Sequence, residues 1–406
     1  MNEQPKLLQK GSLEALDSGG YSVRVARSIE ELEALRPAWL ELQGSFVTTD
    51  LDYYLTVLRH KPGVRRPHVV LLERDGRPEL MIVGRIEDAN LTFRLGYRKI
   101  YNLRFKALAV VYGGFLGEVG QDEAELLVDQ LLATLARGEA EAAILAHLSV
   151  DEPLYAEARR RPRFLAKQHG SRLQPCWRLY LPESLEEFLR SRSPRTREGM
   201  RRQARRLENR YGDSLTLERF RDRDQLDRLF ADAEQVAAKT YQWQLGVAFR
   251  DTPFQRTIAE LAMDKGWFRA YVLYLEGRPV AFWHGLAYEG IFRTGTPAYD
   301  PSLAGLSVGN YVLMRMIEDL CADDSVIELD HGFGDAEYKR RFGDEARVEG
   351  DVLIFAPSLR GARINLVITV LLAIESLASR ILGRRELRTR LKRAWRRRLV
   401  SKPRAR

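Results

Sequence analysis

Ten residues in the last quarter of the chain concentrate reactive side chains. From Asp330 to Lys339 they read Asp-His-Gly-Phe-Gly-Asp-Ala-Glu-Tyr-Lys. A carboxylate can take a proton, a phenol can give one to a leaving group, and a lysine can hold an anion. The preceding "SVIELD" reads as a strand, which puts Asp330 at a strand's carboxyl end, where open α/β sheets bind their ligands. Gly332 and Gly334 allow a sharp turn or a close approach of backbone to a ligand. A helix is expected over Asp335–Phe342, capped by Asp335, with Tyr338 and Lys339 in its first turns. A capped surface helix with a solvated lysine accounts for the same residues, and the residues alone do not choose between the two.

A second candidate lies upstream, in the loop 299–310, "YDPSLAGLSVGN" without its first tyrosine's strand. Small residues there let backbone amides approach a ligand, and the following helix adds positive potential at its N-terminus. Ser307, Val308, Gly309 and Asn310 are the phosphate-binding candidates. The plain alternative is a loop with Ser307 as helix cap. "GLSVG" also fits the Gly-x-Ser-x-Gly elbow of serine hydrolases, but that elbow needs a strand running straight into the serine, and Pro301 intervenes. His284 sits on a strand whose alternation puts Phe282, His284 and Leu286 on one face and Ala281, Trp283 and Gly285 on the other. A lone histidine on a strand is more often a core residue than a base. Arg293, Tyr299 and Asp300 bracket the next strand and either bind substrate or close the sheet.

These residues need a sheet to hold them, and the sequence outlines two. Residues 21–28 alternate as a strand, Ile29–Gly44 has the spacing of an amphipathic helix, and "PHVVLLERDGRPELMIVGRIE" is a hairpin around Asp-Gly. Further strands run through 91–117, a helix over Glu123–Arg137 and a buried strand over 142–148. A second block repeats the plan: a strand at 176–182, helices around 184–210, 223–240 and 253–265, and another hairpin. The two hairpins share Glu, Gly-Arg-Pro and a closing Gly, at Gly76-Arg77-Pro78 and Gly277-Arg278-Pro279. The order of the flanking helices is shared too, which favours duplication over coincidence.

Length and composition fit this organisation. A chain of 406 residues, 45% hydrophobic and 30% charged, suits two globular domains. Two cysteines, Cys176 and Cys321, without a CxxC, argue against a structural zinc or a disulfide framework. The first 20 residues hold no apolar run and read as a disordered lead-in, not a signal peptide. The net charge of +9 hides an asymmetry. Ser358–Arg406 carries 15 Lys+Arg against 2 Asp+Glu, while the rest is slightly acidic. Within 364–406 an apolar stretch interrupted by Glu375 and Arg380, then dense arginine, suits an anionic membrane surface or a helix packed on the body. A second basic block, Arg190–Arg210, holds nine arginines and two glutamates. It is either a solvated face or a phosphate-binding one.

The order hairpin, strand, glycine loop, helix, strand, short helix resembles the GNAT acyltransferase superfamily. The pattern "AYDP…S.G…L…IE…ELD.GFGDAEYKRRFG" is closer to the acetyltransferases linked to bacterial cellulose and exopolysaccharide synthesis, the CelD/BcsL group. The Fem-type aminoacyl transferases, built from two GNAT-like halves, are more distant relatives. The match is strongest over about 176–357, with 21–165 as a diverged half. The resemblance implies an α/β protein of two tandem GNAT-like domains, with mixed, mostly antiparallel sheets flanked by helices and a basic helical C-terminal tail. The expected division is 1–20 lead-in, 21–165 diverged domain, 166–357 acyltransferase domain and 358–406 tail. It also implies acetyl-CoA or another acyl-CoA as co-substrate, no metal, and a small-molecule or saccharide acceptor in the cytoplasm, at the inner face of the membrane if the tail docks there. Ser307–Asn310 would hold the donor's phosphates and Tyr338 would be the acid. Asp330 and Lys339 would line the cleft, and Arg293, Tyr299, Asp300 and His331 would face the acceptor. The chemistry needs a base, and His284 and Asp330 are the candidates. One departure is Ala304, where the family's loops carry Arg or Gln. It leaves room for an aminoacyl-tRNA donor, or for a non-catalytic, membrane-docked scaffold.

Overall fold

The structure, a computed structural model, describes residues 16–18, 20–95 and 98–381. The chain divides into two compact units, Met1–Leu173 with Val348–Ile381, and Gln174–Arg347.

In unit 1 the strands are β1 (Leu16–Ser18), β2 (Tyr21–Ala26), β3 (Val64–Arg74), β4 (Arg77–Leu95), β5 (Arg98–Leu116) and β6 (Ala142–Ser149). The helices are α1 (Ile29–Ala34), α2 (Arg36–Leu42), α3 (Leu51–His60), α4 (Gln121–Ala136) and α5 (Pro153–Arg160). Strands β1 to β6 lie side by side in chain order, and only the β5–β6 pair is parallel. Two details depart from the sequence reading. The lead-in ends early, because Leu16–Ser18 pairs with Tyr21–Val23 around Gly20, whose φ is 82°. The expected helix over Ile29–Gly44 breaks at Leu35, because Pro37 has no N–H to continue the ladder and opens α2 instead.

In unit 2 the strands are β7 (Leu173–Tyr180), β8 (Leu215–Phe220), β9 (Phe268–Leu275), β10 (Arg278–Tyr288), β11 (Ile291–Thr294), β12 (Ala298–Tyr299) and β13 (Glu328–Phe333). The helices are α6 (Leu185–Ser191), α7 (Pro194–Tyr211), α8 (Leu226–Ala237), α9 (Tyr241–Leu245), α10 (Pro253–Asp264), α11 (Val308–Cys321) and α12 (Glu337–Phe342). The order is β7-β13-β11-β10-β9-β8, with β12 also on β10, and only β11–β13 is parallel. One face packs Trp283, Phe292 and Leu329 against α6, α7 and α11. The other packs Val272, Tyr274 and Phe282 against α8 and α10. The alternation read from β10 therefore sorts its side chains correctly.

The two hairpins share one turn geometry. Asp75 and Gly76 have φ of 51° and 73°, and Glu276 and Gly277 have 52° and 74°. Two successive positive φ values define the turn that matches the right-handed twist of paired strands.

The end of the chain differs most from expectation. β14 (Glu345–Phe355) is one strand, and its residues 349–355 pair with β6 in unit 1. α13 (Leu359–Ile381) then returns to unit 1, where Ile364 and Ile368 join Phe93, Phe105 and Phe355 in a core cluster. Asn365 donates to the carbonyls of Leu165 and Lys167, both at 2.9 Å. Residues 348–381 are thus part of unit 1 rather than an acyltransferase-domain edge followed by a separate tail, and of the two readings of 364–382 the helix packed on the body is the one seen through Ile381. The arginine-rich segment 382–406 lies outside the described residues. Ile368→Ala is expected to cost about 2–5 kcal/mol in urea unfolding, and Val370→Ala, on the outer side of the same helix, within about 0.5 kcal/mol. Equal costs would show that α13 is not packed this way.

Candidate active site

β11 and β13 run parallel through three pairs, Ile291 with Glu328, Phe292 with Leu329 and Arg293 with Asp330. There the pairing stops. β11 ends at Thr294, and β12 turns back onto β10 through Ala281–Tyr299 and Phe282–Ala298. β13 runs on to Phe333, opposite Cys176, with a bulge after Asp330. A gap therefore opens between the two strands beyond Arg293 and Asp330. The Thr294 hydroxyl donates to the Asp330 carbonyl at 3.2 Å and closes its base.

On the α11 face, the glycine loop and the tyrosine are joined by a residue the sequence reading passed over. The Trp283 indole N–H donates to the Gly309 carbonyl at 3.0 Å. The same indole meets Tyr338 edge-on, with ring centroids 5.4 Å apart. Tyr338 in turn lies 6.1 Å from the ring of His331. The only sequence signal for Trp283 was its place on the face opposite His284.

The loop is built to present backbone. Pro301–Leu306 is a 3-10 turn, so no strand runs into Ser307 and the serine-hydrolase reading fails. Ser307 is the residue before α11, but in a left-handed conformation (φ 57°) with no capping bond from its hydroxyl. A non-glycine residue held there costs of order 1 kcal/mol, a strain found mainly at functional sites. The amides of Val308 and Gly309, the first two of α11, have no intrahelical acceptor. The Val308 side chain is fully buried, so this residue offers only its backbone. Gly309 lies beneath Tyr299, whose ring a methyl group there would meet at 3.3 Å. Asn310 is half-buried, its N–H on the Ser307 carbonyl at 3.0 Å. Asp300 accepts from the Ser302 N–H at 3.0 Å and pairs with Lys239 at 2.8 Å, so it closes the loop. An uncapped helix start with a free hydroxyl beside it fits a pyrophosphate.

The stretch that opens the sequence reading is a braced turn. Asp330 accepts the Gly332 N–H at 2.7 Å and the Cys176 thiol at 3.3 Å, and its other oxygen faces Arg293 at 3.8 Å. The Lys339 ammonium donates to the carbonyls of Gly332 at 2.8 Å and Phe333 at 3.0 Å. The Gly334 N–H donates to the Pro175 carbonyl at 3.1 Å. Gly332 and Gly334 have φ of 70° and 102°, which side-chain-bearing residues rarely adopt. Asp330 is 1% exposed and Lys339 7%, so the lysine is buried, not solvated. Burial pulls its pKa below the usual lysine value, against the opposing charges of Cys176, Asp330 and Asp335. Asp335 is not the cap of α12. Ala336 holds that position, and Asp335 pairs with Arg340.

The opposite face carries His284, Arg293 and a further ion pair, Arg178–Glu328, at 3.1 Å. His284 rests on Gly295, where a methyl group would come within 2.2 Å of its ring. Gly295 directly follows β11. Phe249, Phe268 and Phe282 surround it, and its Nε2 is buried without a hydrogen-bond partner. Burial pushes its pKa down to about 4. His331 is 2% exposed with both ring nitrogens unpaired. Burial, helped by the charges of Lys339 and Arg192, pushes it down to about 3. Burial pushes Tyr338 up to about 12, so its hydroxyl keeps its proton at neutral pH. The structure thus gathers Ser307–Asn310, Tyr299, Tyr338 and His331 on one face and His284 and Arg293 on the other. Asp330 and Lys339 hold the turn between them.

Residues 194–340 match the family model described as an acetyltransferase (GNAT) domain. No curated protein sequence matches the chain. Among solved structures, FemX superposes with a TM-score of 0.54 at 12% identity, over 80% of this chain and 95% of that one. L-PGS from Bacillus licheniformis gives 0.46 at 17% identity, over 85% and 96%. A tandem GNAT protein from the clavulanic acid biosynthesis pathway gives 0.45 at 12%, over 83% and 99%. The domain match, on this fold, makes the chain an acyltransferase.

A histidine kept neutral by burial binds its proton less tightly folded than unfolded. The stability that His284 and His331 contribute is whole above about pH 6.5 and is lost as the pH falls through that value towards about 4 and 3. Each proton costs about 1.4 kcal/mol per pH unit in that window. Urea midpoints measured from pH 7 to 4 should therefore fall less steeply for the His284→Phe/His331→Phe variant. A slope equal to that of the parent chain would contradict the burial of both rings.

Proposed function

We propose that the chain moves an acetyl or longer acyl group from acyl-CoA to an amine or hydroxyl of a small molecule or saccharide, in the cytoplasmic steps of exopolysaccharide or cell-envelope synthesis. The observation that carries this reading is Trp283, which holds the Gly309 carbonyl and packs against Tyr338, so that a phosphate loop and a protonated phenol meet across one gap. The pathway rests on the resemblance of Asp330–Lys339 to the CelD/BcsL group.

Each group has a task in such a transfer. The amides at the start of α11 and the Ser307 hydroxyl bind the donor's phosphates. The nucleophile forms its bond to the acyl carbon as the carbon–sulfur bond breaks, and the departing thiolate takes the Tyr338 proton. The two candidate bases are His284, which burial holds at a pKa of about 4, and Asp330. The His284 Nε2 has no partner, whereas an Asp330 oxygen already serves Gly332 and Cys176. Tyr299 covers the loop, and Arg293 and His331 meet the acceptor from either side. Asp330 and Lys339 position the turn. Unit 1 is structural or binds the acceptor. Its α4, at the place equivalent to α11, opens with Asp122 and Glu123, which repel a phosphate.

A second reading, an aminoacyl-tRNA donor, is favoured by Ala304 and by the superposition on FemX. Calorimetry separates the two. The full chain is expected to bind acetyl-CoA or a longer acyl-CoA, and Gly309→Trp to lose that binding while keeping the parent's circular-dichroism spectrum. Binding of aminoacyl-tRNA and of no acyl-CoA would establish the second reading, and binding of neither would leave a non-catalytic scaffold. With an acceptor in hand, Tyr338→Phe should lower kcat about 10²-fold and leave donor affinity unchanged. A kcat equal to the parent's would remove Tyr338 from the acid role.

A further inference from the structure

α13 is apolar on two sides. Ile364, Ile368 and the half-buried Val367, Leu371 and Leu372 face the unit 1 core. On the other side Leu366, Val370, Ile374 and Leu377 are 46–63% exposed. Their spacing of four, four and three residues aligns them along one stripe of the helix. The exposed Leu359 and Arg363 extend that stripe towards the N-terminus. Beside the helix, in the segment that Asn365 ties to it, Phe164 and Leu165 are also exposed and are flanked by Arg163 and Lys167. Single exposed leucines are ordinary, but a continuous stripe with an aromatic wedge at its side marks an interaction surface.

The chain supplies the argument for what covers it. Residues 382–406, which follow α13 directly, hold 12 Lys+Arg and one acid, with Trp395 among them. An apolar helix face continued by a polybasic, tryptophan-bearing segment is complementary to an anionic lipid surface, where the side chains enter the headgroup boundary and the cations meet lipid phosphates. A protein partner would need its own matched apolar groove beside an acidic patch, whereas an anionic bilayer offers both everywhere. No helix among the described residues is long and apolar enough to cross a membrane.

We propose that the outer stripe of α13, with Phe164 and Leu165, docks unit 1 onto an anionic lipid bilayer, and that the basic segment 382–406 strengthens the attachment. The proposal stands independently of the acyl donor and acceptor.

Sedimentation of the full chain with phospholipid vesicles tests it. Binding is expected to vesicles of phosphatidylglycerol and phosphatidylcholine, to be several-fold weaker on phosphatidylcholine alone, and to fall as salt is raised. Val370→Glu/Ile374→Glu should weaken binding at least about tenfold with an unchanged thermal midpoint, because neither side chain is in the core. Arg396→Gln/Arg397→Gln/Arg398→Gln should weaken binding to anionic vesicles only. A full chain that remains in the supernatant with anionic vesicles overturns the proposal. So does a glutamate variant that binds as the parent does. A parent dimer that becomes a monomer in the glutamate variant, with vesicle binding unaffected, would assign the stripe to a second copy of the chain instead.

Discussion

A lysine ammonium taken out of water must be given acceptors, or it forfeits its charge or its burial. Lys339 satisfies that requirement with two carbonyls, those of Gly332 and Phe333, and the site is arranged around them. To offer both oxygens inward, the last residues of β13 bend through a left-handed conformation at Gly332, and the Asp330 carboxylate takes the amide that this bend exposes. Acid and base are thereby compensated locally, with Arg293 balancing the remaining carboxylate oxygen. The turn fixes where α12 starts, and α12 fixes Tyr338 against Trp283. The most reactive-looking residues of the sequence are thus largely the support of one phenol, Tyr338, packed on Trp283.

That division of labour explains what could be read beforehand. The period-two pattern of β10 placed Trp283 and His284 on opposite faces, because alternation is a property of the strand itself. The loop before α11 was legible as a loop entering a helix, from its proline and small residues followed by apolar residues at helical spacing. The burial of Lys339 was not, since a lysine in the first turn of a short helix looks solvated unless the carbonyls that receive it are known. Nor were Trp283–Gly309 or Arg178–Glu328. The second joins residues 150 positions apart, through a pairing of β7 with β13 that no local pattern records. The break of the first helix at Pro37 was visible in the sequence, but its apolar spacing outweighed it in the reading.

The domain boundaries failed for a topological reason. Each unit ends its sheet with an antiparallel strand beside the parallel pair. Unit 2 takes that strand, β7, from before its own core, and unit 1 takes β14 from after unit 2's core. A linear division cannot express such an exchange. α13 follows β14 into unit 1 and looks like a tail for a related reason. Its apolar residues surround the helix, so the contrast between faces that announces a packed amphipathic helix is missing.

Two units with the same strand order, the same hairpin turn and one parallel pair each need not share chemistry, and local charge shows why. A phosphate site at a helix start depends on amides that are unclaimed and on the absence of a competing anion. In unit 2 the first turn of α11 holds no acid, and the residue before it leaves its hydroxyl unused. In unit 1 the first turn of α4 holds Asp122 and Glu123, and the Glu123 carboxylate lies only 2.8 Å from where a side chain on Gly120 would begin. That carboxylate stands where a ligand phosphate would have to sit. The same fold therefore presents a helix start free of acids in unit 2 and one that carries two carboxylates in unit 1, which is why the proposed donor site is placed on α11 and not on α4.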